Sequence, residues 1–261
     1  LVNEQHDTGN LSANAEPMIS VVIPVFNAAQ TIERTLTSIE SQTYKNFEVI
    51  LVNDGSTDNS GEIISHFIAG RNPGSTISYK QFHQTNKGVS AARNLGLRNT
   101  TGPFIALLDA DDEWLPEKTA KQLAILQNNP DIDLLGTNFN KGVVVIPGYE
   151  KNKELHLVTT RHLLYRNFFA TPTVIFKRSI VENEIFFNEG MKFMEDQNYW
   201  MRICLAGFSC AFLNENLVIA GNGKPPFGHK GLSSNLPAME QGELYNLRHV
   251  YKNKAIGFAE Y

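Results

Sequence analysis

The chain has 261 residues, enough for one large domain or two small ones with a real core. A hydrophobic content of 42% with 19% charged residues is that of an ordinary soluble globular protein, and a net charge of -4 offers no basic excess for holding a nucleic-acid backbone. No apolar run approaches the roughly 18 residues of a membrane span, and residues 1–17, which open on Leu1, lack the apolar core of a signal peptide and read as a flexible tail or an expression remnant.

In chain order, residues 19–23 (ISVVI) form a β-branched run that ends at Pro24 and predicts a buried strand with a hard stop. Asn27 is a candidate cap for a helix whose apolar face is Ile32, Leu36 and Ile39. Residues 47–52 predict a second strand that delivers Asn53, Asp54 and Gly55, after which Asp58 caps a helix buried through Ile63, Ile64 and Phe67. Residues 77–82 alternate as a third strand, and 88–98 (GVSAARNLGLR) form a small-residue helix carrying Arg93. Gly102-Pro103 then breaks the chain before the apolar run 104–108. Pro116 starts a helix with Ala120, Leu123 and Leu126 inward, ended by Asn129-Pro130.

Four strand–helix repeats predict an α/β fold: a single mostly parallel, mixed sheet with helices on both faces. Beyond Pro130 the rhythm changes. Short strands are expected at 132–135, 143–146, 173–177, 209–213 and 217–220, with a helix over 195–205. Residues 221–231 hold four glycines and two prolines and read as a loop, followed by an amphipathic helix over 236–251 that is expected to dock on the body. Cys204 and Cys210, the only cysteines, lack metal-ligand spacing and suit two reduced thiols in a cytoplasmic protein, with a disulfide as the alternative.

The chemistry concentrates where apolar strands end. FIALLDADDEW places Asp109, Asp111 and Asp112 just past a strand, at the edge where open α/β sheets bind ligands. Three carboxylates so close repel one another unless solvated or joined by a cation, and oxygen-only ligands suit magnesium or manganese better than zinc. An acidic turn capping the next helix is the alternative. Two further polar clusters, 24–27 and 53–56, fall at neighbouring strand ends. Phe26 offers an aromatic surface for a base, Asp54 an acceptor and Arg93 a cation, although each also has a plain structural explanation. There is no GxxxxGK[ST] loop and no GxGxxG after the first strand, which removes support for ATPase, kinase and dinucleotide functions. Glu195-Asp196 begins a helix, so it serves either as a first-turn cap or as a base for a hydroxyl proton. His229 lies in the glycine-flanked FGHKGLSS, where with Lys230 it would close over a diphosphate or remain a surface residue.

IPVFN (23–27), VNDGSTDNS (52–60), NKGVSAARNLGL (86–97), LLDADDEW (107–114) and MEDQNYWMRI (194–203) occur in order. Together they resemble the large family 2 of inverting, nucleotide-sugar-dependent glycosyltransferases, with the type A glycosyltransferase fold, over about residues 18–215. The resemblance implies that Pro24, Phe26 and Asn27 line the nucleotide site and that Asp54 accepts from the base, usually uracil. It implies that Arg93 assists base or phosphate, that Asp109 meets the ribose, and that Asp111 holds a manganese or magnesium ion on the diphosphate. Asp112 would support that loop, His229 would join the metal or diphosphate end, and Asp196 with Glu195 beside it matches the general base. The processive-synthase pattern QxxRW is absent, so a single transfer is expected.

The implied domains are a donor half (18–115) and an acceptor half (116–220) of one glycosyltransferase domain, then a C-terminal loop and helix (221–261). The implied partners are a UDP-sugar donor and a carbohydrate or lipid-linked acceptor, as in cell-surface polysaccharide synthesis, with no nucleic acid and the oligomeric state open. The expected location is cytoplasmic, with peripheral contact at the inner membrane face in view. Tyr149, His156, Tyr165 and Arg166 either contact the acceptor or decorate the surface. Two other functions compete. A sugar nucleotidyltransferase would need a glycine-rich basic loop where this chain reads PVFNAAQ, and a silent nucleotide-sugar-binding module is opposed by the presence of Asp111 and Asp196.

Overall fold

Every residue of β1 (Ile19–Val25) is buried, because the strand lies at the centre of a sheet covered on both faces. Its side chains alternate between two cores, as the period of a strand requires. Val21, Ile23 and Val25 meet one cluster, whereas Val22 meets the other. The computed structural model describes residues 16–72, 74–141, 154–221 and 235–257. The expected strand at 143–146, Tyr149, His229 and Lys230 lie outside them, as do residues 1–15.

α1 (Ile32–Glu40), β2 (Phe47–Asp54), α2 (Ser60–Ala69), β3 (Ser78–Gln84), α3 (Val89–Arg98) and β4 (Phe104–Leu107) follow in strict alternation. After them come β5 (Glu113–Trp114), α4 (Lys118–Asn128), β6 (Leu134–Phe139), β7 (Leu155–Val158) and α5 (Thr160–Tyr165). The described chain is completed by β8 (Ile175–Lys177), α6 (Ser179–Glu182), α7 (Glu195–Leu205), β9 (Cys210–Ile219) and α8 (Leu236–Lys252). All described strands belong to one mixed sheet ordered β3-β2-β1-β4-β8-β6-β9-β5, with β7 pairing β9. β3, β2, β1 and β4 run parallel, and the antiparallel β8 turns the sheet into its mixed second half. The strand order reverses direction between β1 and β4, and the crevice beyond such a switch point is the ligand site of open α/β sheets.

One face is packed by α1 (Ile32, Leu36, Ile39), α2 (Ile64) and α4 (Leu123, Leu126). The other is packed by α3 (Leu97), α5 (Leu163), α7 (Tyr199, Trp200, Ile203) and α8 (Val250). α3 lies so close to β1 that a Cβ on Gly96 would stand 2.3 Å from Val22 Cγ1. Only glycine permits that approach, and it draws the arginine one turn earlier toward the strand ends.

Several sequence expectations need correction. Pro24 does not stop β1, which runs on to Val25. Val22 O accepts from Leu108 N, so two residues later Pro24 faces the same side, where the β4 ladder has already ended, and its missing N–H costs no ladder bond. Asn27 does not cap α1, which starts at Ile32 behind Thr31. Instead it adopts the left-handed conformation (φ 49°) that Asn tolerates, and its Oδ1 accepts from Thr57 N at 2.8 Å. α2 starts behind Asn59, while Asp58 accepts from Ser60 N at 3.1 Å and Ala29 N at 3.0 Å, tying the first two strand-end loops together. The two strands expected over 209–220 are one, β9, because a register shift against β6 absorbs the polar residues between them. Residues 171–173 form a 3-10 turn around Pro172, which shortens the next strand to β8. β5, β7 and α5 were not legible, being too short to show a period. Cys204 and Cys210 are free thiols with Sγ atoms 3.4 Å apart.

Candidate active site

The carboxyl ends of β1, β2 and β4 lie side by side and carry three of the predicted clusters. Phe26 is 50% exposed, which frees its ring for a planar ligand and rules out a core role. Asn27 N donates to Ser56 Oγ at 3.0 Å, so the β1 end is braced on the β2 end. Asp54 is buried and holds the link between β3 and α3. Its Oδ1 accepts from Gln84 Nε2 (2.7 Å) and Lys87 N (2.8 Å), and its Oδ2 accepts from Gly88 N (2.9 Å). A carboxylate has about four lone-pair sites, and three are taken here, so one acceptor position remains.

Arg93 is the junction of the site. It is 4% exposed, donates from Nη2 to Asp109 Oδ1 at 2.9 Å and from Nη1 to Glu195 Oε1 at 3.0 Å, and lies 5.1 Å from the centre of the Phe187 ring. Burial disfavours its charge, but Asp109 and Glu195 more than offset this and hold its pKa above the ordinary value. The end of β4 is thereby joined to the first turn of α7, although Asp109 and Glu195 are far apart in sequence.

The loop after β4 separates its three carboxylates by environment. Asp109 is partly exposed against Arg93, Asp111 is exposed, and Asp112 is buried. Burial, with the negative Asp109 and Asp111 beside it, pushes the Asp112 carboxyl well above its usual range, against the Gly221 N–H that it accepts at 2.6 Å. Thr31 and Thr35 hold the loop through Ala110 O (2.7 and 3.1 Å), and Arg34 Nη2 donates to Asp111 O at 3.0 Å. Among the described residues no three metal-ligating side chains already converge.

Glu195 and Asp196, neighbours in sequence, diverge in role. Glu195 is committed to Arg93, whereas Asp196 accepts from Gln197 N (2.7 Å) at Oδ1 and from Asn167 Nδ2 (2.9 Å) at Oδ2. Burial and then the negative Glu195 push Asp196 up to about 7, despite Gln197 N–H, Arg93 and Asn167, which favour its ionised form.

The entry to α7 is clamped from α8. Met194 has a left-handed backbone (φ 57°), unusual for a side chain of its size. A Cβ on Gly242 would lie 2.8 Å from Phe193 O and 2.9 Å from Met194 Cβ, and Asn246 Nδ2 donates to Met194 O at 3.2 Å. Sequence inspection missed Asn167, Gly242 and Asn246, because none belongs to a motif or an apolar period. Tyr165 is 74% exposed and His156 is buried. No helix among the described residues is long and apolar enough to cross a membrane.

Known proteins are similar to this chain in sequence and fold. The glycosyltransferase GlyG of Streptococcus pneumoniae is 31% identical over 216 residues, 77% of this chain and 70% of its own length. The structure of S. aureus TarS 1-349 in complex with UDP superposes with a TM-score of 0.64 at 25% identity, covering 78% of this chain and 60% of that one. The mannosyltransferase PcManGT of Pyrobaculum calidifontis, in complex with GDP-Man and Mn2+, shares the fold (TM-score 0.67, 18% identity, 93% of this chain and 66% of that one). The chain spans 58% and 64% of the length of two further curated relatives. The family model for glycosyl transferase family 2 matches residues 20–196, a span that runs from β1 through Arg93 and the acidic loop to Asp196, so the chain belongs to that family.

Proposed function

We propose that the chain transfers one sugar from a nucleoside diphosphate sugar, UDP-linked by its resemblance, to an acceptor hydroxyl, with inversion at the anomeric carbon. One observation supports the reading: Arg93 binds Asp109 and Glu195 at once, so one side chain joins the loop after β4 to the helix turn that carries Asp196. Pro24, Phe26, Asn27 and Asp54 would form the nucleotide end (donor half, 18–115), and the acceptor would enter from the side of 116–220. UDP in TarS and GDP-Man in PcManGT support a nucleoside diphosphate donor. Cell-surface polysaccharide or glycoconjugate synthesis at the cytoplasmic membrane face is the setting we propose for it.

The donor set fits a divalent cation, manganese or magnesium. Asp111 is exposed, its ligand atoms are oxygen only, and Asp109 and Asp112 beside it add negative charge that a cation would neutralise. Asp111, supported by Asp109 and Asp112, would hold the ion, with His229 outside the described residues. When bound, the ion neutralises charge gathering on the departing diphosphate. Asp196 takes the proton from the acceptor hydroxyl as that oxygen attacks the anomeric carbon opposite the leaving group. A single displacement needs no enzyme nucleophile. Arg93 holds Asp109 for the ribose and keeps Glu195 out of competition for the proton.

Asp111→Ala is expected to lose manganese-dependent donor binding. In wild type, a correct nucleotide sugar at 100 times its Kd stabilises the fold by about 2.7 kcal/mol, read as a thermal shift with manganese. An equal shift in Asp111→Ala, with and without manganese, would overturn the assignment.

A base must be ionised to work, so a group near 7 gains activity as pH rises. The transfer rate at saturating metal is expected to climb through about pH 7 and level off above it. A flat pH–rate profile from 6 to 8 would contradict a base of that pKa.

A further inference from the structure

Asn167 lies in the link between α5 and β8, outside every motif of the chain, yet its side chain is aimed at Asp196. Its Nδ2 donates to Asp196 Oδ2 at 2.9 Å, and its Oδ1 accepts from Phe169 N at 3.2 Å. The second bond fixes which way the amide faces, since a flipped amide would set its nitrogen against a backbone N–H. Phe169 is fully buried and its carbonyl accepts from Trp200 Nε1 at 2.8 Å, so the segment that presents Asn167 is anchored in the core beneath α7.

We propose that Asn167 is a positioning residue for Asp196: its amide N–H fixes the carboxylate rotamer and favours the ionised form that accepts the hydroxyl proton. The inference rests on the base role proposed above for Asp196. The charged groups acting on Asp196 are Glu195 on its own helix, which opposes ionisation, and Arg93 from α3, which favours it. Arg93 is already shared between Asp109 and Glu195, and Gln197 N serves the other oxygen. Asn167 is thus the side-chain donor bonded to Asp196 Oδ2. Replacing the amide by a group that cannot donate removes this bond, and that difference gives a direct test.

The ionisation of Asp196 can be followed without substrate, by the 13C carboxyl resonance of aspartate-labelled protein over pH 4–10, with Asp196→Asn identifying the signal. In Asn167→Ala the midpoint is expected to rise by about one unit, because a hydrogen bond to the charged form is lost. In Asn167→Asp, close in size but acceptor-only when ionised, it is expected to rise further, because like charges then share the site. A rise of one unit from a midpoint near 7 lowers the ionised fraction at pH 7 about fivefold and restores it by pH 9, a pattern that a mere packing defect does not produce. An unmoved midpoint in the folded variants would overturn the positioning role. Should Asn167→Ala fail to fold, Asn167→Leu, close in size and without a hydrogen-bond donor, decides in its place, with the same rise expected. Failure of the base role reads differently: Asp196→Asn would then retain transfer whatever the Asn167 variants do to the titration.

Discussion

Asp196→Asn is expected to abolish sugar transfer while leaving nucleotide-sugar binding almost unchanged. The substitution keeps size and removes the capacity to take a proton, a contribution of about 10²–10⁴-fold in rate for a positioned general base. It also disturbs the local hydrogen bonds in a predictable way. Asp196 accepts from Gln197 N on one oxygen and from Asn167 Nδ2 on the other, so an amide there must turn its own nitrogen toward one of these donors. That mismatch costs about 1–3 kcal/mol, which leaves the fold intact and keeps donor binding readable by thermal shift. Nucleotide release measured with the true acceptor decides the matter. An active Asp196→Asn enzyme would remove this residue from the base role, and Glu195 is a poor replacement because it is bound to Arg93.

The largest stability effect is expected at Arg93→Met. The Arg93 side chain is 5% exposed and faces Glu195, whose side chain is 11% exposed, and Asp109, whose side chain is 26% exposed. Removing one member of a buried ion network leaves its partners as uncompensated charges and costs about 3–5 kcal/mol. For a chain of this length that lowers the melting temperature by on the order of 10 °C. Arg93→Lys should recover only part of this, because a point charge cannot serve two carboxylates held apart by a planar fork. Adding Glu195→Gln to Arg93→Met should recover part of the loss by removing one of the stranded charges. Thermal denaturation of the two single variants and the double variant tests this. A melting temperature for Arg93→Met within a degree or two of wild type would mean that solvent, rather than Arg93, compensates Glu195.

Much of the donor half was legible because its signals are local. A β-branched run such as 19–23 predicts a buried strand, and an apolar run that stops at DADD marks the end of a strand. Alternation of such runs with helical periods specifies parallel strands, and parallel strands put their carboxyl ends on one edge. Asp54, Asp109 and Asp111 therefore lie at neighbouring strand ends, as the alternation of the sequence implies. The roles of Asn27 and Pro24 are not legible from residue type alone. Whether a proline ends a strand depends on which neighbour its nitrogen faces, and whether an asparagine caps a helix depends on where the chain turns.

By itself the sequence determined the sheet-and-helix order of the first half, the strand-end clusters and the motifs of the family. The tertiary structure alone decided how the charges pair. Burial and Coulomb interaction depend on distance through space, and Arg93 reaches partners 16 and 102 residues away. Adjacent carboxylates point in different directions from a helix, so only the folded chain separates Glu195, held by a cation, from Asp196, raised by burial and its negative neighbour. The same reason hides Asn167 and the α8 clamp. Neither has a local pattern, and each acts on Asp196 or its helix only because the core brings distant segments together.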